Sequence, residues 1–216
     1  MSKNKKEQFI WGGLHPFSYH PFVFNFIPDV KNKIILDCGC GKGIYGYLIR
    51  VVRPIEKGKI IGLDIRKEYL DFCKDHKVYD KLILGDLVKL PFKDKSVDLL
   101  ICSEVIEHLN QRDGNKFLKE VDRVCRERAI ITTPNLFYQT FEEGEADAHH
   151  SCWDINTFRQ KGYKVYGSGI RMIIDRYDPL FRFKQALSII ATPFSYLFPL
   201  IGGSLICVKD YAIPKK

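Results

Sequence analysis

The run Asp37-Cys38-Gly39-Cys40-Gly41-Lys42-Gly43 follows directly on an apolar, strand-like stretch, Lys33 to Cys38 (KIILDC). Glycines let a backbone pass close to a ligand and adopt positive φ. An acidic residue ahead of them suits a ligand with a positive ammonium group. Gly41-Lys42-Gly43-Ile44-Tyr45-Gly46 also has the spacing that grips a pyrophosphate at a helix N-terminus, although in that register the strand ends a few residues too early. Asp64 ends a second strand, where a carboxylate can accept hydrogen bonds from both ribose hydroxyls. Capping the next helix is the structural alternative, but Ile65 and Arg66 intervene. Asp86 and Leu87 end a third strand, in reach of an adenine amino group or simply closing a turn. Ser103 and Glu104 end a fourth.

A protonated acceptor needs a group to take its proton. The candidates are His149 and His150, near the start of the helix after the fifth strand, and His20 in the N-terminal segment. A structural or surface role is the alternative for each. His149, His150 and Cys152 give H-H-x-C, which is not a usual zinc spacing, and Cys38 and Cys40 belong to the glycine turn. No metal is expected from this pattern, and His108 reads as packing or capping. The seven cysteines are scattered, form no CxxC pair and sit mostly in apolar runs, which suits free thiols in a reducing cytoplasm.

The elements that must position these groups alternate strand and helix. The sequence predicts helices over Gly43 to Arg53, with Ile44, Tyr47, Leu48 and Val51 on one face, and over Lys67 to His76. Lys59 to Asp64, Lys81 to Leu84, Val97 to Cys102, Arg128 to Thr132, Tyr163 to Tyr166 and Ser204 to Val208 read as strands. A helix capped by Asp113 carries Phe117, Leu118, Val121, Val124 and Cys125 at helical spacing, and a shorter one spans Asp154 to Gln160. This is the doubly wound α/β plan, with its ligand crevice beyond the carboxyl ends of the strands.

The run from Leu90 to Leu109, LPFKDKSVDLLICSEVIEHL, completes a set of ordered motifs. With DCGCGKG at 37–43, the acidic Asp64, Gly85-Asp86 and Thr132-Thr133-Pro134-Asn135, the chain resembles the class I methyltransferases of the quinone-biosynthesis type. Val97 departs from the family's usual Phe. The resemblance covers about residues 33–170. It implies a Rossmann-like, seven-stranded sheet with the last strand antiparallel, and S-adenosylmethionine as cofactor. Carried over by position, Asp37, Cys38, Gly39, Cys40, Gly41 and Gly43 line the methionine end of the cofactor. Asp64 and Ile65 hold the ribose, Asp86 and Leu87 bracket the adenine, and Ser103 and Glu104 lie beside the sulfonium.

The 216 residues are expected to form one domain: an N-terminal cap segment (1–32), the cofactor-binding core (33–170), and an apolar insertion or lid (171–201) before the last strand. Both flanks are rich in aromatics, among them Trp11, Phe17, Tyr19, Phe22, Phe24 and Phe26, then Tyr177, Phe181, Phe183, Phe194, Tyr196 and Phe198. Packing is the ordinary use of such residues; a lid over the crevice is the other. From Ala186 to Val208 there is no charged residue, and Pro193, Pro199 and Gly202-Gly203 are expected to divide the stretch into helix, turn and strand rather than let it span a membrane. No signal-peptide pattern precedes the core, so the expected location is cytoplasmic, with peripheral membrane contact through 183–201.

The net charge of +8 favours anionic partners without choosing among them. The loop after the fourth strand lacks the Asn/Asp-Pro-Pro-Tyr/Phe pattern of many enzymes that methylate bases or amides, which points to a small-molecule acceptor over nucleic acid. An RNA or protein methyltransferase, or a non-catalytic nucleotide-binding module on the same fold, are the competing readings.

Overall fold

A computed structural model describes residues 16–53, 56–135, 148–171 and 179–212. Trp11 and Tyr177 lie outside the described residues, as do the side chains of Phe17, Tyr19 and Phe181. The elements run α1 (Pro16–Phe24), β1 (Ile34–Cys38), α2 (Ile44–Val52), β2 (Lys59–Asp64), α3 (Lys67–Asp75), β3 (Lys81–Leu84) and β4 (Val97–Ser103). After a single 3-10 turn (Ile106–His108) come α4 (Gln111–Val124), β5 (Cys125–Pro134), α5 (Ile155–Gln160), β6 (Lys164–Ser168), α6 (Phe181–Leu197) and, past a second 3-10 turn (Pro199–Ile201), β7 (Ser204–Asp210).

The strands form one sheet in the order β3-β2-β1-β4-β5-β7-β6. Neighbours among β1 to β5 are parallel, and β7 runs antiparallel to both β5 and β6. The central strands are buried on both faces, which explains their unbroken apolar runs. One apolar cluster gathers α4, α5 and one sheet face around Leu36, Leu100, Phe117 and Trp153. The other gathers α1, α2, α3 and the opposite face around Val23, Ile35, Tyr45 and Ile101. The chain order reverses between β1 and β4, so the carboxyl ends of these two strands open the crevice.

Three expectations change. First, α2 buries Tyr45, Gly46 and Ile49, while Tyr47 and Val51 face solvent. Tyr45 and Ile49 are a better match to the sheet because His20 and the α1 side pack against them. Second, α4 starts three residues before its expected cap: Asn110 accepts from Asp113 N at 2.9 Å, and Asp113 in turn accepts from Asn110 Nδ2 at 2.8 Å. Third, Pro193 does not end α6, which continues to Leu197 with Pro193 on its exposed side. The break falls instead at Phe198–Pro199. No described helix is long and apolar enough to cross a membrane.

Candidate active site

Between β1 and α2 the chain turns through Gly39, Gly41 and Gly43, all at positive φ. Gly39 is obligatory twice over: its φ is 68°, and a Cβ there would lie 2.5 Å from Val105 Cγ2. Gly43, at φ 84°, is the N-cap of α2. The turn is held by the next strand, since Gly39 N and Cys40 N both donate to Leu63 O. It is also held by Asp64, whose Oδ2 accepts from Gly41 N at 2.8 Å and whose Oδ1 accepts from Arg66 N at 2.9 Å. Each carboxylate oxygen keeps a second lone pair for a ribose hydroxyl.

Asp37 is buried and accepts from Tyr79 Oη at 2.6 Å. Burial pushes its carboxyl up to about 7, against the pull of the Tyr79 hydrogen bond, with the charge of Asp64 adding to the rise. An ammonium group arriving at Asp37 would supply the counter-charge that burial withholds. Tyr79 is a site residue that the motif pattern did not reveal. Its ring also backs Gly43, Gly46 and Gly62, where added Cβ atoms would collide with it.

Ile65 projects into solvent at 70% exposure beside the crevice, and Leu87 is buried while Asp86 is exposed and accepts from Val88 N at 3.0 Å. An exposed apolar side chain after β2, opposite a buried one after β3, suits the two faces of a flat base. Cys38, Cys40 and the other cysteines are free thiols, and burial raises the Cys38 thiol well above its ordinary range. Together the glycine turn, the buried acid and the Asp64 carboxylate fit S-adenosylmethionine.

At the end of β4 the polar groups form a chain. His20 Nδ1 lies 2.8 Å from Tyr45 Oη, Tyr45 Oη 3.4 Å from Ser103 Oγ, and Ser103 Oγ 2.9 Å from Thr132 Oγ1. Thr132 Oγ1 donates to Glu104 Oε1 at 3.0 Å. Glu104 takes φ 54°, a backbone region that few side chains occupy. Burial raises its carboxyl to about 7, despite the Thr132 hydrogen bond. Glu107 is buried one turn on, accepts from Thr133 Oγ1 at 3.1 Å, and is pushed well upward by burial and then by the charge of Glu104. Burial lowers His20 to about 4, so it stands neutral inside this chain at ordinary pH.

The two histidines after β5 separate. His149 is half-buried, with its ring edge-on to His108 at 5.0 Å, while the His150 side chain is exposed. Backbone N–H groups of His150 and Ser151 both donate to Glu107 O, which fastens this segment to the 3-10 turn. Glu107, His108 and His149 bring one donor atom each within 4.8 Å of the others. Cys152 is exposed and takes no part.

Residues 36–133 match the methyltransferase domain family. The fatty-acid O-methyltransferase of Mycolicibacterium smegmatis is 30% identical over 161 residues, 70% of this chain and 57% of that protein. The malonyl-[acyl-carrier protein] O-methyltransferase of Yersinia pestis is 29% identical over 120 residues, 56% of this chain and 41% of that protein. The chain thus spans about half the length of these curated relatives. An S-adenosylmethionine-dependent methyltransferase from Archaeoglobus fulgidus superposes with a TM-score of 0.61 at 18% identity, covering 88% of this chain and 92% of the other. The match to the methyltransferase domain family thus spans residues 36–133, and the fold is shared with solved S-adenosylmethionine-dependent methyltransferases. The seven-stranded sheet with antiparallel β7 is the fold of this family.

A concavity lies at the far end of β5. A cleft of about 540 Å³ is lined by Asn135 after β5, by Asp154, Ile155, Asn156 and Arg159 of the α5 region, by Arg171, and by Leu197 to Leu200. Asn135 anchors its floor, donating from Nδ2 to Pro199 O at 3.0 Å and Gly202 O at 2.8 Å. The cleft lies at the carboxyl end of β5, two residues from the Thr133 that holds Glu107.

Above it stands α6, which is inside out. At about 100° per residue, Phe183, Leu187, Ile190, Phe194 and Leu197 fall within roughly 40° of one line. That line faces solvent, with Ile190 at 69%, Phe194 at 64% and Leu197 at 70% exposed. Ser188, Thr192 and Ser195 on the far side are buried. They finish the end of β6: Thr192 Oγ1 accepts from Gly169 N and Ser188 Oγ from Ile170 N, both at 3.1 Å. Gly167 lets the helix come so close that a Cβ there would sit 2.4 Å from Ser195 O.

Proposed function

We propose that the chain transfers a methyl group from S-adenosylmethionine to an oxygen of a small apolar or lipid-like acceptor, in the cytoplasm and at an anionic membrane surface. One observation carries the reading: the solvent-facing apolar stripe of α6 ends in the cleft, since Leu197 belongs to both and the exposed Phe198 and Leu200 that follow it also line the cleft. The basic residues around them, Arg159 and Arg171 on the cleft and Arg182 in the first turn of α6, are the complement of an anionic headgroup. From Leu180 to Ile201 there is no acidic residue. The relatives named for fatty acids and malonyl-acyl carrier protein support an acyl acceptor.

The cofactor supplies a methyl on a sulfonium, already an activated leaving group. The chain's own residues hold and exclude. Asp37 and the Gly39–Gly43 turn take the methionine end, and Asp64 takes the ribose. Ile65 and Leu87 enclose the base, while Ser103 and Glu104 set the position of the reacting carbon. Correct alignment of acceptor oxygen and methyl, with water kept out, supplies most of what such a transfer needs. Of the two histidines, half-buried His149 beside His108 supports a role at the acceptor oxygen better than exposed His150 does.

The test pairs two measurements. Transfer of a labelled methyl to long-chain acids or alcohols is assayed with and without vesicles containing phosphatidylglycerol, and binding to the same vesicles is followed by sedimentation. Transfer and binding are expected, with binding lost in a Phe194→Glu/Leu197→Glu variant and transfer lost in His149→Ala/His150→Ala. Salt-sensitive binding to polyuridylate without vesicle binding would favour an RNA acceptor and overturn this reading.

A further inference from the structure

Glu107, His108 and His149 are each held from behind in a way that aims a donor atom at a shared point. Glu107 is 3% exposed, and Thr133 Oγ1 fixes its Oε2. His108 Nδ1 lies 3.1 Å from Ala148 O, a carbonyl that can only accept, so Nδ1 carries the proton and Nε2 the lone pair. Such a bond from the outer ring nitrogen to a carbonyl is how proteins orient a ligating imidazole. His149 is brought edge-on to His108 by the two backbone bonds to Glu107 O. The three donor atoms lie within 4.8 Å of one another.

The charge balance points the same way. Glu107 is buried and Glu104 half-buried three residues before it, and among the described residues no ion pair joins either to a lysine or arginine. Elsewhere the fold treats its buried acids differently: Asp98, 2% exposed, is ion-paired with Arg126 and accepts from Ile34 N. A buried carboxylate without a basic partner must either hold a proton or meet a cation.

We propose that Glu107, His108 and His149 bind a divalent first-row transition cation, with an open position directed at the acceptor. Two imidazoles and one carboxylate are a donor set for Zn²⁺, Co²⁺ or Mn²⁺; Mg²⁺ and Ca²⁺ prefer oxygen alone. Bond lengths of about 2.0–2.2 Å around a tetrahedral ion place donors roughly 3.4 Å apart, so the side chains draw in by about 1 Å on binding. The site lies next to the Ser103–Thr132–Glu104 chain along the segment after β4, where Glu104 and Glu107 are three residues apart and are held by Thr132 and Thr133 respectively.

Resting on the oxygen-acceptor reading above, the ion serves the transfer as follows. The acceptor oxygen takes the open position, and an acceptor O–H proton leaves to water because the cation lowers its pKa. An oxygen lone pair then forms the bond to the methyl carbon as the carbon–sulfur bond breaks. That bond's electron pair remains on sulfur, giving methylated acceptor and neutral S-adenosylhomocysteine. His149 thereby acts as a ligand rather than as a free base.

The test uses the full chain, stripped with a chelator and titrated with Co²⁺ and Zn²⁺, read by calorimetry and by the visible absorption of bound Co²⁺. One equivalent is expected, with Zn²⁺ displacing Co²⁺. Thr133→Val, which removes an outer partner, should weaken binding by about 10–100-fold. Glu107→Gln, His108→Ala and His149→Gln should weaken it further, and His150→Ala should leave it unchanged. Calorimetric binding of S-adenosylhomocysteine reports folding in each variant, and half-buried His149 serves where a Glu107 variant does not fold. Cofactor binding without metal binding, or metal binding indifferent to these substitutions, overturns the metal site and leaves the proposed function standing. Metal binding without acyl methylation does the reverse.

Discussion

Helices α4 and α6 pack against the same sheet by opposite rules. α4 turns Phe117, Leu118, Val121 and Val124 inward and its charges outward. α6 turns Ser188, Thr192 and Ser195 inward and Phe183, Leu187, Ile190, Phe194 and Leu197 outward. The first is held by removing apolar surface from water, the second by hydrogen bonds that complete the end of β6 and by a close backbone approach at Gly167. A helix that spends its polar face on the fold leaves its apolar face for something else, and here that face borders the cleft.

Substitutions can break or sharpen this contrast. The largest effect is expected for Phe117→Ala in α4: a fully buried ring is lost, and urea denaturation should show destabilisation of about 3–5 kcal/mol. Thr192→Val in α6 keeps the shape but strands the N–H of Gly169, for a loss of about 1–3 kcal/mol by the same measurement. If Thr192→Val proves neutral, hydrogen bonding is not what holds α6 down. Asn110→Ala removes the α4 cap and should lower stability by about 1 kcal/mol. Phe194→Ala, at an exposed position, should change stability by no more than about 0.5 kcal/mol while weakening vesicle sedimentation. A destabilisation as large as that of Phe117→Ala would mean the α6 stripe is covered within the folded chain.

A pH measurement separates the cofactor side from both helices. Asp37 has a folded-state pKa near 7 against an ordinary 3.8, so the native state holds a proton that the unfolded chain releases in between. Stability from this group is therefore present below about pH 4 and is lost as pH rises towards 7. Asp37→Asn should unfold at a higher temperature than the parent at pH 8, with a smaller difference at pH 5, and should bind S-adenosylhomocysteine more weakly at both.

The cofactor half was legible because its signals are local. A buried parallel strand is a continuous apolar run and Gly39, Gly41 and Gly43 take positive φ after it, so the turn could be placed from the sequence, while the resemblance assigned it, with Asp37 and Asp64, to the cofactor. The α2 face was misjudged because Tyr45 and Tyr47 are equally apolar in the chain, and only the docked α1 selects Tyr45. Pro193 was expected to break a helix that in fact carries it on its exposed side.

By itself the sequence determined the order of strands and helices, the doubly wound plan and the glycine turn after β1, since each depends on residues a few positions apart. Tertiary structure alone decided which groups meet across long separations. It brought Tyr79 to Asp37 and set His108 against Ala148 and His149. It also chose which face of α6 would meet the sheet, because the N–H groups at the end of β6 demanded acceptors that an apolar face does not carry.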